Sequence, residues 1–79
     1  MTQATKAQFI AQEIAVALND KPNVSLYEFY AQSYPEPLLR AILANVLRVP
    51  EERIKKSRGA LFTYLVKKYA NNQQHNHRS

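Results

Sequence analysis

The fold is decided by the proline-bounded stretch PEPLLRAILANVLRVP, which occupies residues 35–50. Prolines are accepted in the first turn of a helix, where amides lack intrahelical partners, and Glu36 complements the helix dipole there. Val49-Pro50 ends the helix, because a proline disfavours the α conformation in the residue before it. Apolar residues recur at helical spacing along it: Leu38, Leu39, Ile42, Leu43, Val46 and Leu47. The stretch therefore predicts an amphipathic helix at the centre of the core.

A first helix is predicted upstream, over about Thr5 to Leu18. Apolar residues recur there at three- and four-residue spacing and form one face, which Phe9 and Val16 widen. Residues 19–23 follow, with a composition typical of a turn that no helix continues through.

A second helix is predicted from Ser25 to about residue 33. The sequence Ser-Leu-Tyr-Glu at 25–28 matches a capping box, in which the Ser25 hydroxyl accepts from the amide of residue 28 and Glu28 reaches back. Val24 and Phe29 occupy the two positions of a hydrophobic staple. The aromatic residues of this helix either pack against its neighbours or offer a stacking surface for bases or a protein partner: Tyr27, Phe29, Tyr30 and Tyr34.

The stretch 50–70 is interpreted as two elements. As one continuous helix it places Arg58 in the middle of an apolar face, where an unpartnered charge is costly to bury. A break removes the conflict: a short turn starts at Pro50 and ends near Lys56, and Ser57 caps a final helix that runs from Arg58 to about residue 70. The fold class is therefore all-α, a single domain over residues 1–70 built as a small bundle of four to five short helices, with a disordered polar tail at 71–79.

Composition limits the class of protein. The 79 residues contain no cysteine, so a disulfide framework and thiolate metal sites are excluded. No apolar run approaches the ~18 residues of a membrane span, and the N-terminus lacks the pattern of a secretory signal. We expect a cytoplasmic protein that does not contact membranes.

Positive charge is concentrated in the second half of the chain. Residues 1–39 contain two lysines and four acidic residues, a net charge of −2, whereas residues 40–79 contain nine basic and two acidic residues, a net charge of +7. Such a field attracts polyanions over about 8 Å at physiological salt. The leading hypothesis is a small nucleic-acid-binding module, for DNA or RNA, that contacts backbone phosphates.

The predicted contacts cluster around the break before the final helix. Free amides after Ser57 point towards solvent, Gly59 lets an anion approach the backbone, and the neighbouring cations add charge. On the final helix, Tyr64 can stack on an exposed base, which favours single strands, and the lysines beyond it extend the contact. The full predicted set is Arg53, Lys55, Lys56, Ser57, Arg58, Gly59, Tyr64, Lys67 and Lys68.

Other functions have weaker support in the sequence. Glu51 and Glu52 have no evident nucleophile beside them, His75 and His77 lie two apart in the polar tail, and no phosphate-binding glycine loop is present. We expect neither an enzyme nor a bound metal or cofactor. The alternative hypothesis is a protein–protein interaction module, either a homodimer that pairs acidic and basic halves or an adaptor for an acidic protein. The basic run can also be simply a solvated face.

Overall fold

Four α-helices make up the described part of the protein. The computed structural model describes the backbone of residues 5–78 and the side chains of residues 5–71. The helices are α1 (Lys6–Ala17), α2 (Val24–Ser33), α3 (Glu36–Arg48) and α4 (Arg58–Arg78), and short 3₁₀ turns lie at Lys21–Asn23 and Glu51–Arg53. No strand occurs within residues 5–78. The predicted small all-α bundle is confirmed.

The capping box of this chain lies on α1 and not on α2. The Thr5 hydroxyl accepts from the Gln8 amide at 3.1 Å, and the Gln8 side chain accepts from the Thr5 amide at 2.8 Å. The box predicted at residues 25–28 is wrong, because α2 begins at Val24 with no side-chain cap. The 3₁₀ turn before it runs directly into the helix, through a bond from the Val24 amide to the Lys21 carbonyl, and leaves Ser25 inside the first turn.

A Schellman motif ends α1 and positions Asp20. Asn19 adopts a left-handed φ of 55°, its amide donates to the Val16 carbonyl at 3.1 Å, and the Asp20 amide donates to the Ala15 carbonyl at 2.8 Å. The Asp20 carboxylate then accepts a 2.6 Å hydrogen bond from the Tyr27 hydroxyl. Burial, together with this carboxylate, raises the pKa of the Tyr27 hydroxyl above its ordinary value, so that the hydroxyl remains the donor.

The core is centred on α3, as its sequence predicts. Leu39, Ile42, Leu43 and Val46 are buried, whereas Leu47 is 45% exposed because it lies about 100° around the helix from Val46. The fully buried members of the core from the other helices include Tyr27, Phe62 and Val66.

Two expectations about apolar residues in the first half of the chain are corrected. Phe9 and Val16 do not widen the buried face of α1, since their side chains are 63% and 61% exposed. Phe29 is 58% exposed, so it forms no staple with Val24, which lies within α2.

The tyrosines of α2 mainly serve the core. Tyr27 and Tyr30 are buried, and the Tyr27 ring meets Phe62 of α4 edge to face with centroids 5.6 Å apart. Tyr34 is half-buried against Tyr30. Of the two roles considered for these aromatics, the structure supports packing for all three tyrosines.

The predicted break before α4 is confirmed. The Ser57 hydroxyl accepts from the Ala60 amide at 3.0 Å, which caps the helix that begins at Arg58. The helix continues past the predicted end near residue 70 and reaches Arg78. The polar tail expected at residues 71–79 stays a prediction, because the side chains after residue 71 lie outside the described part.

A charged network joins α1 and α3. The Arg40 guanidinium contacts Glu13 at 2.8 Å and Glu36 at 2.7 Å, and Lys6 contacts Glu36 at 3.2 Å. Hydrogen bonds from Arg40 are the main reason that the pKa values of both glutamates lie below their ordinary value. Arg40 is therefore neutralised locally and does not add to the basic surface of the second half.

This network predicts a measurable pH dependence. Because the folded pKa of both glutamates is lowered, their contribution to stability is present above pH 4.5, the ordinary value, and is lost as pH falls through the folded values. Arg40→Met should reduce this acid loss, measured by urea unfolding from about pH 3 to 7. Arg48→Met is the matched control, since Arg48 donates to the side-chain oxygen of Asn45 and forms no ion pair with a described carboxylate. Equal pH slopes in wild type and Arg40→Met would contradict the assignment.

Candidate nucleic-acid interface

A groove lies where the chain enters α4. It has a volume of about 490 Å³, and we call it the α4 groove. Its lining comprises Arg53, Ile54, Lys55, Lys56, Ser57, Ala60, Leu61 and Tyr64. Half-buried Ile54 and Leu61 give it an apolar lining, while the charged residues around them are exposed. Five of the nine residues predicted from sequence therefore meet at one surface feature.

Among the described residues, the cations of the α4 groove have no acidic partner. Ion pairs among residues 5–71 involve only Lys6 and Arg40 as cations, so none engages Arg53, Lys55 or Lys56. These three side chains are exposed. Their charge is therefore free to act on an external anion.

Tyr64 forms part of the groove and is 59% exposed. Lys67 and Lys68 follow it by three and four residues, so they lie on the same side of α4 one turn further along. Both lysines are exposed, and neither is in an ion pair within the described side chains. The structure thus places an exposed ring between the groove cations and a second cationic pair.

Arg58 is used inside the fold and is not part of this groove. Its Nη1 atom donates to the carbonyls of Val46 at 2.7 Å and Val49 at 2.9 Å, at the end of α3. A cation there supplies a donor to the Val49 carbonyl and a second donor to the Val46 carbonyl, which already accepts from the Val49 amide. It also complements the dipole of α3. The sequence grouped Arg58 with its neighbours by charge, but the structure separates it from them.

Gly59 is buried, and its open side faces an anion that belongs to the protein itself. A Cβ atom at this position would lie 2.5 Å from Oδ2 of Asp20 and 2.7 Å from the Tyr27 hydroxyl. The Asp20 carboxylate therefore occupies the approach to the first turn of α4 that the sequence argument reserved for a phosphate. Negative charge near a helix N-terminus is favourable, so this arrangement stabilises the docking of α4.

Three groove residues were missed by sequence reasoning, namely Ile54, Ala60 and Leu61. Ile54 and Leu61 are apolar residues of the stretch 50–70, and the sequence-based prediction of ligand contacts did not include apolar aliphatic side chains. Both are only half-buried, because the break before α4 turns this part of the apolar face outward. The predicted break before α4 is the sequence signal that could have identified them. A helix that starts near the edge of the core leaves its first apolar residues partly uncovered.

Other kinds of site receive no support within the described residues. No group of three or more histidine, cysteine or acidic side chains is placed to hold a metal ion there, and His75 and His77 lie outside the described side chains. None of the described helices is long and apolar enough to cross a membrane.

The comparisons with known proteins give no family for this chain. No family model matches it, and no curated protein or solved structure shows significant similarity to it.

Proposed function

We propose that this protein binds nucleic acid at the α4 groove through backbone phosphates. Arg53, Lys55, Lys56 and Ser57 supply contacts at the start of α4, and Lys67 and Lys68 extend them along the helix. The observation that carries the proposal is the gathering of exposed cations around one groove, where no acidic partner engages them within the described side chains. These cations lie in the half of the chain whose net charge is +7.

Side-chain charge, and not the end of α4, accounts for the expected affinity. The Asp20 carboxylate already lies against the first turn of α4, so the helix dipole is partly satisfied from within. Five cations remain: Arg53, Lys55, Lys56, Lys67 and Lys68. Contacts of this kind release condensed counterions, so log K should fall with log salt at a slope of roughly −4 for five phosphates.

Glu51 and Glu52 oppose this charge locally. Both are exposed and lie in the 3₁₀ turn just before the groove, where acidic residues stabilise the start of a helical turn. They do not line the groove itself. Their presence favours moderate, salt-sensitive binding over tight binding.

Reversing one groove charge tests the proposal. Lys55→Glu and Lys56→Glu should each weaken binding to a labelled oligonucleotide about tenfold or more at low salt, since a phosphate contact is replaced by repulsion. Fluorescence anisotropy across a salt series measures both the affinity and the slope. The double variant should lose binding in the measurable range.

Lys21→Glu is the matched control. It makes the same change in net charge, but Lys21 is exposed in the turn between α1 and α2 and does not line the α4 groove. We expect it to bind within about threefold of wild type, as long-range screening limits its effect. Equal losses in Lys21→Glu and Lys56→Glu would reduce the interaction to net charge alone, and absence of binding by wild type at low salt would refute the proposal.

Self-association is a second candidate function, favoured by one observation. Phe9, Val16 and Phe29 are each more than half exposed on α1 and α2. Exposed large apolar side chains are common singly but also mark protein interfaces when several occur together. Sedimentation at several protein concentrations distinguishes self-association from nucleic-acid binding. An interaction module shows a mass that depends on protein concentration and has no affinity for oligonucleotides.

A further inference from the structure

We propose that the ligand of the α4 groove is single-stranded nucleic acid, with one base stacked on Tyr64. This inference rests on the proposed function and names the class of nucleic acid. It depends on the aromatic and apolar residues of the groove, whereas the proposed function depends on the cations. The two can therefore fail separately.

Tyr64 differs from the tyrosines that form part of the core. Tyr27 and Tyr30 are buried and make ring contacts with Phe62. Tyr64 is 59% exposed, and among the described residues its ring contacts no other aromatic ring. Its face is therefore available to a planar ligand.

The surroundings of Tyr64 suit a nucleotide base. Ile54 and Leu61 line the same groove, so a flat apolar group lying against Tyr64 also covers apolar surface. A base combines that flat face with a phosphate on either side, and aromatic side chains beside a cationic track are the usual means of holding single strands.

Cations lie on both sides of the ring along α4. Lys55 and Lys56 precede the helix, while Lys67 and Lys68 lie three and four residues after Tyr64. At 1.5 Å per residue, about 16 Å of helix separates Ser57 from Lys68. A strand that follows the helix can therefore place phosphates at both cationic ends and a base at the tyrosine between them.

A duplex does not satisfy this arrangement. Its bases are stacked on one another, and extruding one requires breaking stacking and pairing. A duplex can still contact the cations through its phosphates, so it should bind by charge alone. The single strand should therefore bind more tightly, and only its binding should depend on the ring of Tyr64.

The experiment compares wild type, Tyr64→Ala and Tyr64→Phe against three labelled ligands of about 15 nucleotides. The ligands are a single strand without self-pairing, the duplex of the same sequence, and an abasic strand that keeps the phosphates. Tyr64→Ala should weaken binding to the single strand about 5- to 150-fold, the range that loss of one stacked base produces. Tyr64→Phe should bind like wild type, because the ring remains.

The controls separate stacking from charge. Duplex and abasic strand should bind wild type and Tyr64→Ala within about twofold of each other, since neither offers an accessible base. The stacking proposal is overturned if Tyr64→Ala weakens binding to all three ligands equally, or does not weaken binding to the single strand. The phosphate interface still stands in that case if charge reversal at Lys55 and Lys56 weakens binding. No binding of any ligand by wild type overturns both. Unchanged thermal unfolding of Tyr64→Ala is expected, because the side chain is exposed.

Discussion

Replacing Arg58 with methionine will lower the free energy of unfolding by about 3 kcal/mol. The guanidinium donates two hydrogen bonds to carbonyls at the end of α3, those of Val46 and Val49, in a partly buried setting. Methionine keeps much of the packing of the side chain but leaves the Val49 carbonyl without this donor, whereas the Val46 carbonyl keeps its bond from the Val49 amide. The change removes two hydrogen bonds from a charged group and leaves the Val49 carbonyl with its desolvation penalty, so the loss should exceed that of an ordinary surface substitution.

Urea unfolding followed by circular dichroism measures the effect, and Lys56→Met is the matched control. Lys56 is exposed two residues earlier in the same basic run and has no acidic partner among the described residues, so its replacement should change stability by less than about 0.5 kcal/mol. Arg58→Lys should fall between wild type and Arg58→Met, because an ammonium can reach a carbonyl but lacks the planar fork. Similar stabilities for the two methionine variants would show that Arg58 is an ordinary surface cation.

Arg58 also bears on how binding data should be interpreted. It follows Ser57 directly, so it anchors the point where the groove residues meet α4. A variant of Arg58 that loses nucleic-acid affinity has therefore lost the scaffold as well as a charge. Charge reversals at Lys55 and Lys56 avoid this ambiguity, which is why they carry the functional test.

Local rules were enough to predict much of the fold. Prolines are accepted in the first turn of α3, and the proline after the helix disfavours the α conformation in the residue before it. These short-range effects allow the helix and its end to be predicted from residues 35–50. Ser57 was predicted as the cap of α4, because an unbroken helix placed a charge on an apolar face. In both cases the relevant energy lies within a few residues of the chain.

Choices between equivalent local patterns could not be made from sequence. Thr5 to Gln8 and Ser25 to Glu28 both fit a capping box, yet only the first forms one. The difference is the 3₁₀ turn that leads into α2 and starts the helix before Ser25. That turn follows the end of α1, so the start of α2 depends on how the chain connects the two packed helices.

The candidate site was predicted only in part, because local patterns again do not determine the tertiary contacts of each side chain. A run of basic residues shows where charge is concentrated but not where each side chain points. Lys55 and Lys56 are exposed at the groove, whereas Arg58 is held by carbonyls from α3 and Gly59 lies where a side chain would meet Asp20 and Tyr27. The partners of these last two come from distant parts of the chain, which residue spacing alone does not bring together.

Gly59→Ala will destabilise the protein by about 2 kcal/mol, although alanine is the better helix former. The φ of Gly59 is not positive, so its backbone does not require glycine. The restriction is the close approach of Oδ2 of Asp20 and the Tyr27 hydroxyl, 2.5 and 2.7 Å from the Cβ position. Neither can move away freely, because Tyr27 is buried against Phe62 and the Asp20 carboxylate is hydrogen-bonded to Tyr27 and Asn23.

Removing both obstructing groups should reverse the sign of the effect. In an Asp20→Ala/Tyr27→Phe background the atoms that oppose the new methyl group are gone, and only the helix preference remains. Gly59→Ala should then be neutral or stabilising by up to about 1 kcal/mol. Urea unfolding of the four proteins forms a cycle in which the coupling is the difference between the two Gly59→Ala effects, so losses common to the background cancel. Equal destabilisation in both backgrounds would mean that the methyl group is opposed by something other than these two side chains, and the docking of α4 on Asp20 and Tyr27 would have to be rejected.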